Sequence, residues 1–175
     1  THLGNGVAAI LPRHPNLIWE QLADDRLTAS FIADGFHLPP ATFKSMLRAK
    51  GLDRAILVSD LAALSRMPPG IYDQPIGGRV EGGADGRLSV AGTPYLAGAG
   101  RTLAEDVAIA TTMAGLTLAE ALRLSTINPG RFVGGRGRLE PGASADLIRF
   151  DWEPGATALR IVETIAGGER VFAAG

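Results

Sequence analysis

The chain contains no cysteine. That excludes disulfides and thiolate metal sites, and it suits the cytoplasm. An excess of either charge is missing too. Lys and Arg number 17 against 18 Asp and Glu, a net charge of −1, which argues against nucleic acid or an anionic membrane as the main partner. No run approaches the ~20 apolar residues of a membrane-spanning helix. No stretch has the basic, apolar and small-residue order of a signal peptide. The sequence also lacks Gly-x-Ser-x-Gly, His-Glu-x-x-His and a Gly-x-Gly-x-x-Gly that opens a helix, the marks of a serine nucleophile, a zinc protease helix and a phosphate cradle. Only three histidines are present, His2, His14 and His37, so imidazole chemistry must rest on them. Apolar residues make up 46% of the 175, enough for the core of one domain of ordinary size.

Against those absences, two short apolar runs stand out. Ser30-Phe31-Ile32-Ala33 leads into Asp34-Gly35-Phe36-His37, and Ala55-Ile56-Leu57-Val58 leads into Ser59-Asp60. Between them Pro39-Pro40 opens a helical pattern with Phe43, Met46 and Leu47 on one face, closed by Gly51. Strand, helix, strand is the unit of parallel α/β folds, and their catalytic groups sit at the carboxyl ends of the strands. Ahead of this unit, Thr1 to Arg13 reads as a glycine-rich loop, and Asn16 is placed to cap a helix from Leu17 to Ala23. Leu27 to Ala33 is the expected extent of the first strand.

Further along, Met67 to Thr93 is rich in turn signals, with a hairpin turn expected at Ala84-Asp85-Gly86-Arg87. Thr102-x-x-Glu105 and Thr117-x-x-Glu120 are capping boxes that predict two helices, separated by Gly115. Asn128-Pro129-Gly130 is expected to end the second. Asp146–Phe150, Leu159–Ile165 and Arg170–Phe172 read as strands, with Gly167-Gly168 as a turn.

Several side chains could carry chemistry. His2 and His37 could ligate a divalent ion, although a lone strand-end histidine is more often a packing residue. His14 lies in a loop between Arg13 and Pro15 and reads as solvated. Asp60 follows an apolar strand with no cation nearby in sequence, so burying it there needs a metal, a cation or hydrogen bonds. The alternative is a cap on the segment that follows. Asp34 fits a turn that bonds backbone amides. Arg13 is either a surface arginine or an anion clamp, and Asn5-Gly6 could offer backbone amides to the same anion.

Taken together, these motifs resemble one family. Thr1-His2-Leu3-Gly4-Asn5-Gly6, Ile32-Ala33-Asp34-Gly35-Phe36-His37 and Leu57-Val58-Ser59-Asp60 resemble, in order and spacing, motifs of the N-acetylglucosamine-6-phosphate deacetylases of the amidohydrolase superfamily. Thr126-Ile127-Asn128-Pro129 and the stretch from Gly137 to Leu147 resemble that superfamily's barrel exit and C-terminal β segment. The resemblance implies an α/β fold, the C-terminal part of a metal-dependent (β/α)8 barrel plus part of a small β-sandwich. Residues 1–133 would belong to the barrel, with a β-hairpin insertion around 71–93, and 134–175 to the sandwich. It implies His2 as a metal ligand, His37 as a sugar contact and Asp60 as the catalytic general base and acid. Asn5, Gly6 and Arg13 would hold the substrate phosphate. The cofactor would be a divalent metal, zinc, with iron, manganese or cobalt as alternatives. The substrate would be a small amino sugar phosphate, and the assembly a homodimer in the cytoplasm.

Departures from the family pattern bear on substrate preference. Gly4 stands where the pattern has an aromatic, Gly6-Val7 where it has Ala-Met, and Leu61 where an Ala follows the catalytic Asp. Arg101 falls in the segment Leu96–Leu103, small and apolar in the pattern, that closes over substrate. The pattern's remaining metal ligands would lie upstream of Thr1, so the chain is expected to be a C-terminal portion that is inactive alone. Two other readings stay open: an amidohydrolase for a cyclic amide or N-acyl amino acid, and a partial barrel with a structural role.

Overall fold

The computed structural model describes residues 1–75 and 77–175. Its centre is a parallel strand pair, β1 (Ala29–Phe31) and β2 (Ala55–Leu57), in the register Ala29↔Ala55, Ser30↔Ile56 and Phe31↔Leu57. Both strands are shorter than their apolar runs. Beyond Phe31 the pairing continues through one further bond, from the Val58 amide to the Phe31 carbonyl at 3.0 Å, and the chain then turns at Asp34. The crossover between them is α2 (Pro40–Lys50), which starts at the expected proline and stops at Gly51, φ +77°. Its Phe43 ring meets Phe31 edge-to-face, centroids 5.7 Å apart. Both rings are fully buried, and such a pair contributes about 0.5–1.5 kcal/mol beyond its area.

Before the strand pair lies α1 (Leu17–Ala23), capped by Asn16 Oδ1, which accepts from the Ile18 and Trp19 amides. Its far end is held by Lys50, whose buried ammonium donates to the Gln21 and Asp24 carbonyls at 2.7 Å each. A cation at a helix carboxyl end satisfies carbonyls the helix leaves unpaired.

After β2 the expected hairpin is a three-stranded meander, β3 (Gly70–Gln74), β4 (Gly78–Gly82) and β5 (Leu88–Val90). Its β4–β5 turn falls on Gly83 to Arg87, closed by the Gly83 amide on the Arg87 carbonyl at 2.8 Å. Helices α3 (Leu103–Ala114) and α4 (Leu118–Ser125) both start in complete capping boxes, each cap contributing roughly 1 kcal/mol.

One expectation fails at the end of α4. The helix stops at Ser125, and Ile127–Gly130 forms its own helical turn, α5. Thr126 breaks the run with φ −127° and ψ −78°. The buried Asn128 amide then donates to the Leu52 and Ala55 carbonyls at 2.7 Å each, so tertiary bonds fix the turn instead of ending a helix.

The tail is an antiparallel sheet of β6 (Leu147–Asp151), β7 (Arg160–Ala166) and β8 (Glu169–Ala173). It touches the main core through Leu159, Phe150, Trp152 and Ile161. Among the described residues no helix is long and apolar enough to cross a membrane.

Candidate active site at the strand ends

The parallel register decides where the candidate residues go. Phe31 pairs with Leu57, so Asp34 and Asp60 each lie three residues past the last pair, on the same edge of the sheet. The first segment joins that edge from the other side. Its Leu3 amide donates to the Ser30 carbonyl at 2.8 Å, and the His2 amide donates to Ser30 Oγ at 2.6 Å. His2, Asp34 with His37, and Asp60 thus belong to three adjacent segments.

Asp34 organises the middle one. It is fully buried. Its Oδ1 accepts from the Phe36 and His37 amides at 2.9 Å each, and its Oδ2 faces His37 Nδ1 at 2.7 Å. Burial pushes this carboxyl up, but the bonds from the His37 ring and the two amides outweigh it and hold Asp34 below the usual carboxylate range. An ionised Asp34 accepts from Nδ1–H, which leaves His37 Nε2 as the ring nitrogen for a ligand. The His37 side chain is only 7% exposed.

Asp60 is exposed at the next strand end and has φ +52°. Holding a non-glycine residue there costs on the order of 1–3 kcal/mol. The segment 96–100 supports it. Ala99 N–H donates to the Asp60 carbonyl at 3.1 Å, and Ala62 N–H to the Ala99 carbonyl at 2.9 Å. His2 is also left-handed, φ +28°, and its Nδ1 is buried with no hydrogen-bond partner. A Cβ built on Gly6 would lie 3.3 Å from His2 Cε1, so Gly6 leaves room beside the ring.

The orphaned, buried imidazole nitrogen of His2 fits one ligand of a divalent metal. A catalytic zinc needs about three protein ligands, and no group of three His, Cys, Asp or Glu among the described residues could hold one. The chain therefore offers a donor but not a complete ligand set. Arg13 does not join the cluster. It is exposed in the loop before α1, and its carbonyl accepts from Asn16. Asn5 is close by in chain, with a buried Nδ2 that has no partner.

Two residues matter more than their sequence context suggests. Arg101 donates from one guanidinium nitrogen to the Asp34 carbonyl at 2.6 Å and stacks over Phe36, 4.5 Å from the ring centroid. Asp106, on α3, is fully buried with neither oxygen bonded. Burial, reinforced by the Asp34 and Glu105 charges and opposed by Arg101, pushes its carboxyl up to about 8. Its signal was present in the sequence: Asp106 interrupts the apolar stripe of Leu103, Val107, Ala110 and Met113 on one face of α3.

A histidine with an unpartnered buried ring nitrogen, a buried Asp–His pair and an exposed carboxylate, on three adjacent segments around a parallel strand pair, are what the fold presents. The chain belongs to the amidohydrolase family, whose sequence pattern matches residues 20–171. Among curated proteins it is similar to the putative N-acetylgalactosamine-6-phosphate deacetylase of Escherichia coli K12, 30% identical over 86% of this chain and 89% of that one. It is equally similar to the N-acetylgalactosamine-6-phosphate deacetylase of Escherichia coli O157:H7, at 30% over 86% of this chain, but spans only 40% of that protein's length. Among solved structures it is similar to the N-acetyl-D-glucosamine-6-phosphate deacetylase of Mycobacterium smegmatis, with a TM-score of 0.84 and 30% identity over 98% of this chain and 45% of that one. A variant of that enzyme was solved in complex with N-acetyl-D-glucosamine-6-phosphate.

Proposed function

We propose that this chain supplies the strand-end catalytic residues of a metal-dependent deacetylase acting on a 2-acetamido sugar 6-phosphate, N-acetylglucosamine or N-acetylgalactosamine 6-phosphate. The observation that supports it is the parallel register, by which Asp60 and Asp34, the partner of His37, each follow the last paired residues of adjacent strands by three positions. Asp60 takes a proton from the attacking water as its oxygen adds to the acyl carbon. It then returns that proton to the amide nitrogen, the C–N bond breaks, and acetate and the amine leave. The second transfer is essential because an unprotonated amine leaves poorly. His37, its tautomer fixed by Asp34, orients the sugar through Nε2. His2 would ligate the metal, whose chemistry when bound is to polarise the acyl carbonyl and acidify water. Zinc suits an imidazole donor, with iron, manganese or cobalt as alternatives.

Asn5, Gly6 and Arg13 are proposed as the phosphate contacts. In support, Asn5 has a side-chain amide with no partner and Gly6 has φ +65°; Arg13, exposed in the loop before α1, is carried by the family resemblance alone. In this reading residues 1–133 form the later strands of a (β/α)8 barrel, with the meander as an insertion. Residues 134–175 belong to the small β domain, and the remaining metal ligands come from other strands of the closed barrel. A homodimer is part of the reading, supported by exposed Val171 and Phe172 on β8. So is a cytoplasmic location, since a phosphate monoester does not cross membranes unaided.

The test is acetate release by the protein that carries this chain. We expect turnover of N-acetylglucosamine or N-acetylgalactosamine 6-phosphate, with the unphosphorylated sugar much poorer. Turnover of cyclic amides or N-acyl amino acids alone would contradict the substrate assignment.

A further inference from the structure

The proposed reaction gives Arg101 no part, yet its side chain grips the loop that ends in His37. Its Nη1 donates to the Asp34 carbonyl at 2.6 Å, and its guanidinium lies over the Phe36 ring, 4.5 Å from the centroid. A Cβ built on Gly35 would sit 3.6 Å from the same nitrogen, so Gly35 also lies against it. Arg101 thus meets three successive residues of the loop. The bonds made by the Asp34 carboxylate all fall within residues 34–37. They shape the loop without tying it to another segment. Arg101 supplies that tie across 67 residues of sequence.

The other end of the tie is firm, and it also holds Asp60. Ala99, buried, donates to the Asp60 carbonyl at 3.1 Å and accepts from the Ala62 amide at 2.9 Å. The Gly100 carbonyl accepts from Ser65 Oγ at 2.7 Å, and Gly100 packs against the Gly86 backbone too closely for a Cβ. Ala99 and Arg101 are two residues apart, at most about 7 Å between Cα atoms. One short, wedged segment therefore bonds the Asp60 backbone on one side and the His37 loop on the other. The acid nearest Arg101 along α3, Glu105, is taken by the Thr102 cap and by Arg66. Arg101 spends its charge on a carbonyl and a ring face instead, and a charged donor makes the stronger bond to a carbonyl.

We propose that Arg101 is a positioning residue of the site, a clip that ties the His37 loop to the segment supporting Asp60. It touches no substrate. It keeps the sugar-orienting imidazole at a fixed place relative to the carboxylate that moves the proton. Arginine suits the task, because its planar guanidinium can donate in its plane while stacking on a ring, which a lysine ammonium cannot reproduce. The proposal rests on His37 and Asp60 serving the proposed site, and one arm of its test uses no activity.

The experiment compares wild type, Arg101→Ala and Arg101→Lys in the protein that carries this chain, with and without millimolar methylguanidinium, far below denaturing levels. Hydrogen exchange read by mass spectrometry follows residues 32–38, with α4 as reference. In Arg101→Ala the 32–38 segment should exchange about tenfold faster, since a charge-assisted bond and a cation–π contact go together, while α4 stays unchanged. Arg101→Lys keeps a cation and should lie between. Arg101 is only partly buried, so methylguanidinium can enter the vacated slot and slow exchange in the alanine variant again. Acetate release should follow the same order, with kcat/KM down by roughly ten- to a hundredfold in Arg101→Ala and recovered by methylguanidinium. Unchanged exchange in 32–38, or an equal rise in α4, overturns the proposal. So does wild-type kcat/KM in Arg101→Ala, or methylguanidinium that alters neither readout. If Arg101→Ala does not fold, Arg101→Met, which keeps the stem but no donor, is judged by the same exchange comparison. A protein that releases no acetate sinks the proposed function, while exchange and its rescue still decide the clip.

Discussion

Replacing Asp106 with asparagine should change how stability depends on pH, and the slope can be worked out. The carboxyl ionises near 3.8 when unfolded and at about 8 when folded. Between those values the unfolded chain has released a proton that the folded chain keeps. The unfolded state therefore binds fewer protons, and stability falls as pH rises. The rate is about 1.4 kcal/mol per pH unit, so the wild type should lose roughly 3 kcal/mol from this group between pH 5 and 7. The loss continues to about pH 8 and then levels off. Asp34 has the opposite sign, since its folded value is depressed. Its contribution is present above the unfolded carboxylate range and is lost as pH falls through the folded value, below the window used here. Urea titrations of wild type and Asp106→Asn at half-unit steps from pH 5 to 9 isolate the effect, because every other group cancels in the difference. The variant's stability relative to wild type should climb by about 1.4 kcal/mol per unit and flatten near pH 8. Its value at pH 5 is not at issue, because the amide has its own desolvation cost. Parallel curves would refute the argument, since they would mean that Asp106 is already ionised in the fold.

Other perturbations probe separate parts of the account. Arg13→Ala should raise KM for the phosphorylated sugar at least tenfold while leaving kcat nearly unchanged; an equal effect on the unphosphorylated sugar would remove Arg13 from the phosphate site. Gly100→Ala should destabilise by about 1–3 kcal/mol, because its Cβ would fall 2.0 Å from the Gly86 carbonyl oxygen, a backbone atom that cannot rotate away; an unchanged melting temperature would contradict that contact. Asn128→Ala orphans the buried Ala55 carbonyl and loses the bond to the half-buried Leu52 carbonyl, and should cost about 1–3 kcal/mol, read as a drop in the urea midpoint.

Local signals made most of the elements legible. Asn16, Thr102 and Thr117 each cap the helix expected of them, since a cap is decided within four residues. The strand pair was readable because Ala29, Phe31, Ala55 and Leu57 are buried and apolar and sit in short apolar runs, with only Ser30 polar within the pair. Strand lengths were not, since pairing stops where the chain must turn at Asp34 and Asp60. Nor was α5, which depends on Asn128 reaching back to Leu52 and Ala55. At the site, the order His2, His37, Asp60 was visible, and Asp34 was read as a turn-former. Its grip on the His37 ring needed the fold. Asp106 shows in sequence only as a break in the apolar stripe of α3, and the role of Arg101 depends on a loop brought from the far side of the meander.

The most direct test of the central claim is the turnover of Asp60→Asn. Asparagine keeps the size of the side chain but can neither take a proton from water nor return one to the amine. General acid–base catalysis by one residue is worth roughly 10²–10⁴ in rate. Acetate release from the 6-phosphate substrate by the protein carrying this chain should therefore fall by about that factor, with KM little changed. Wild-type kcat in the variant would contradict the assignment of Asp60 and the mechanism built on it.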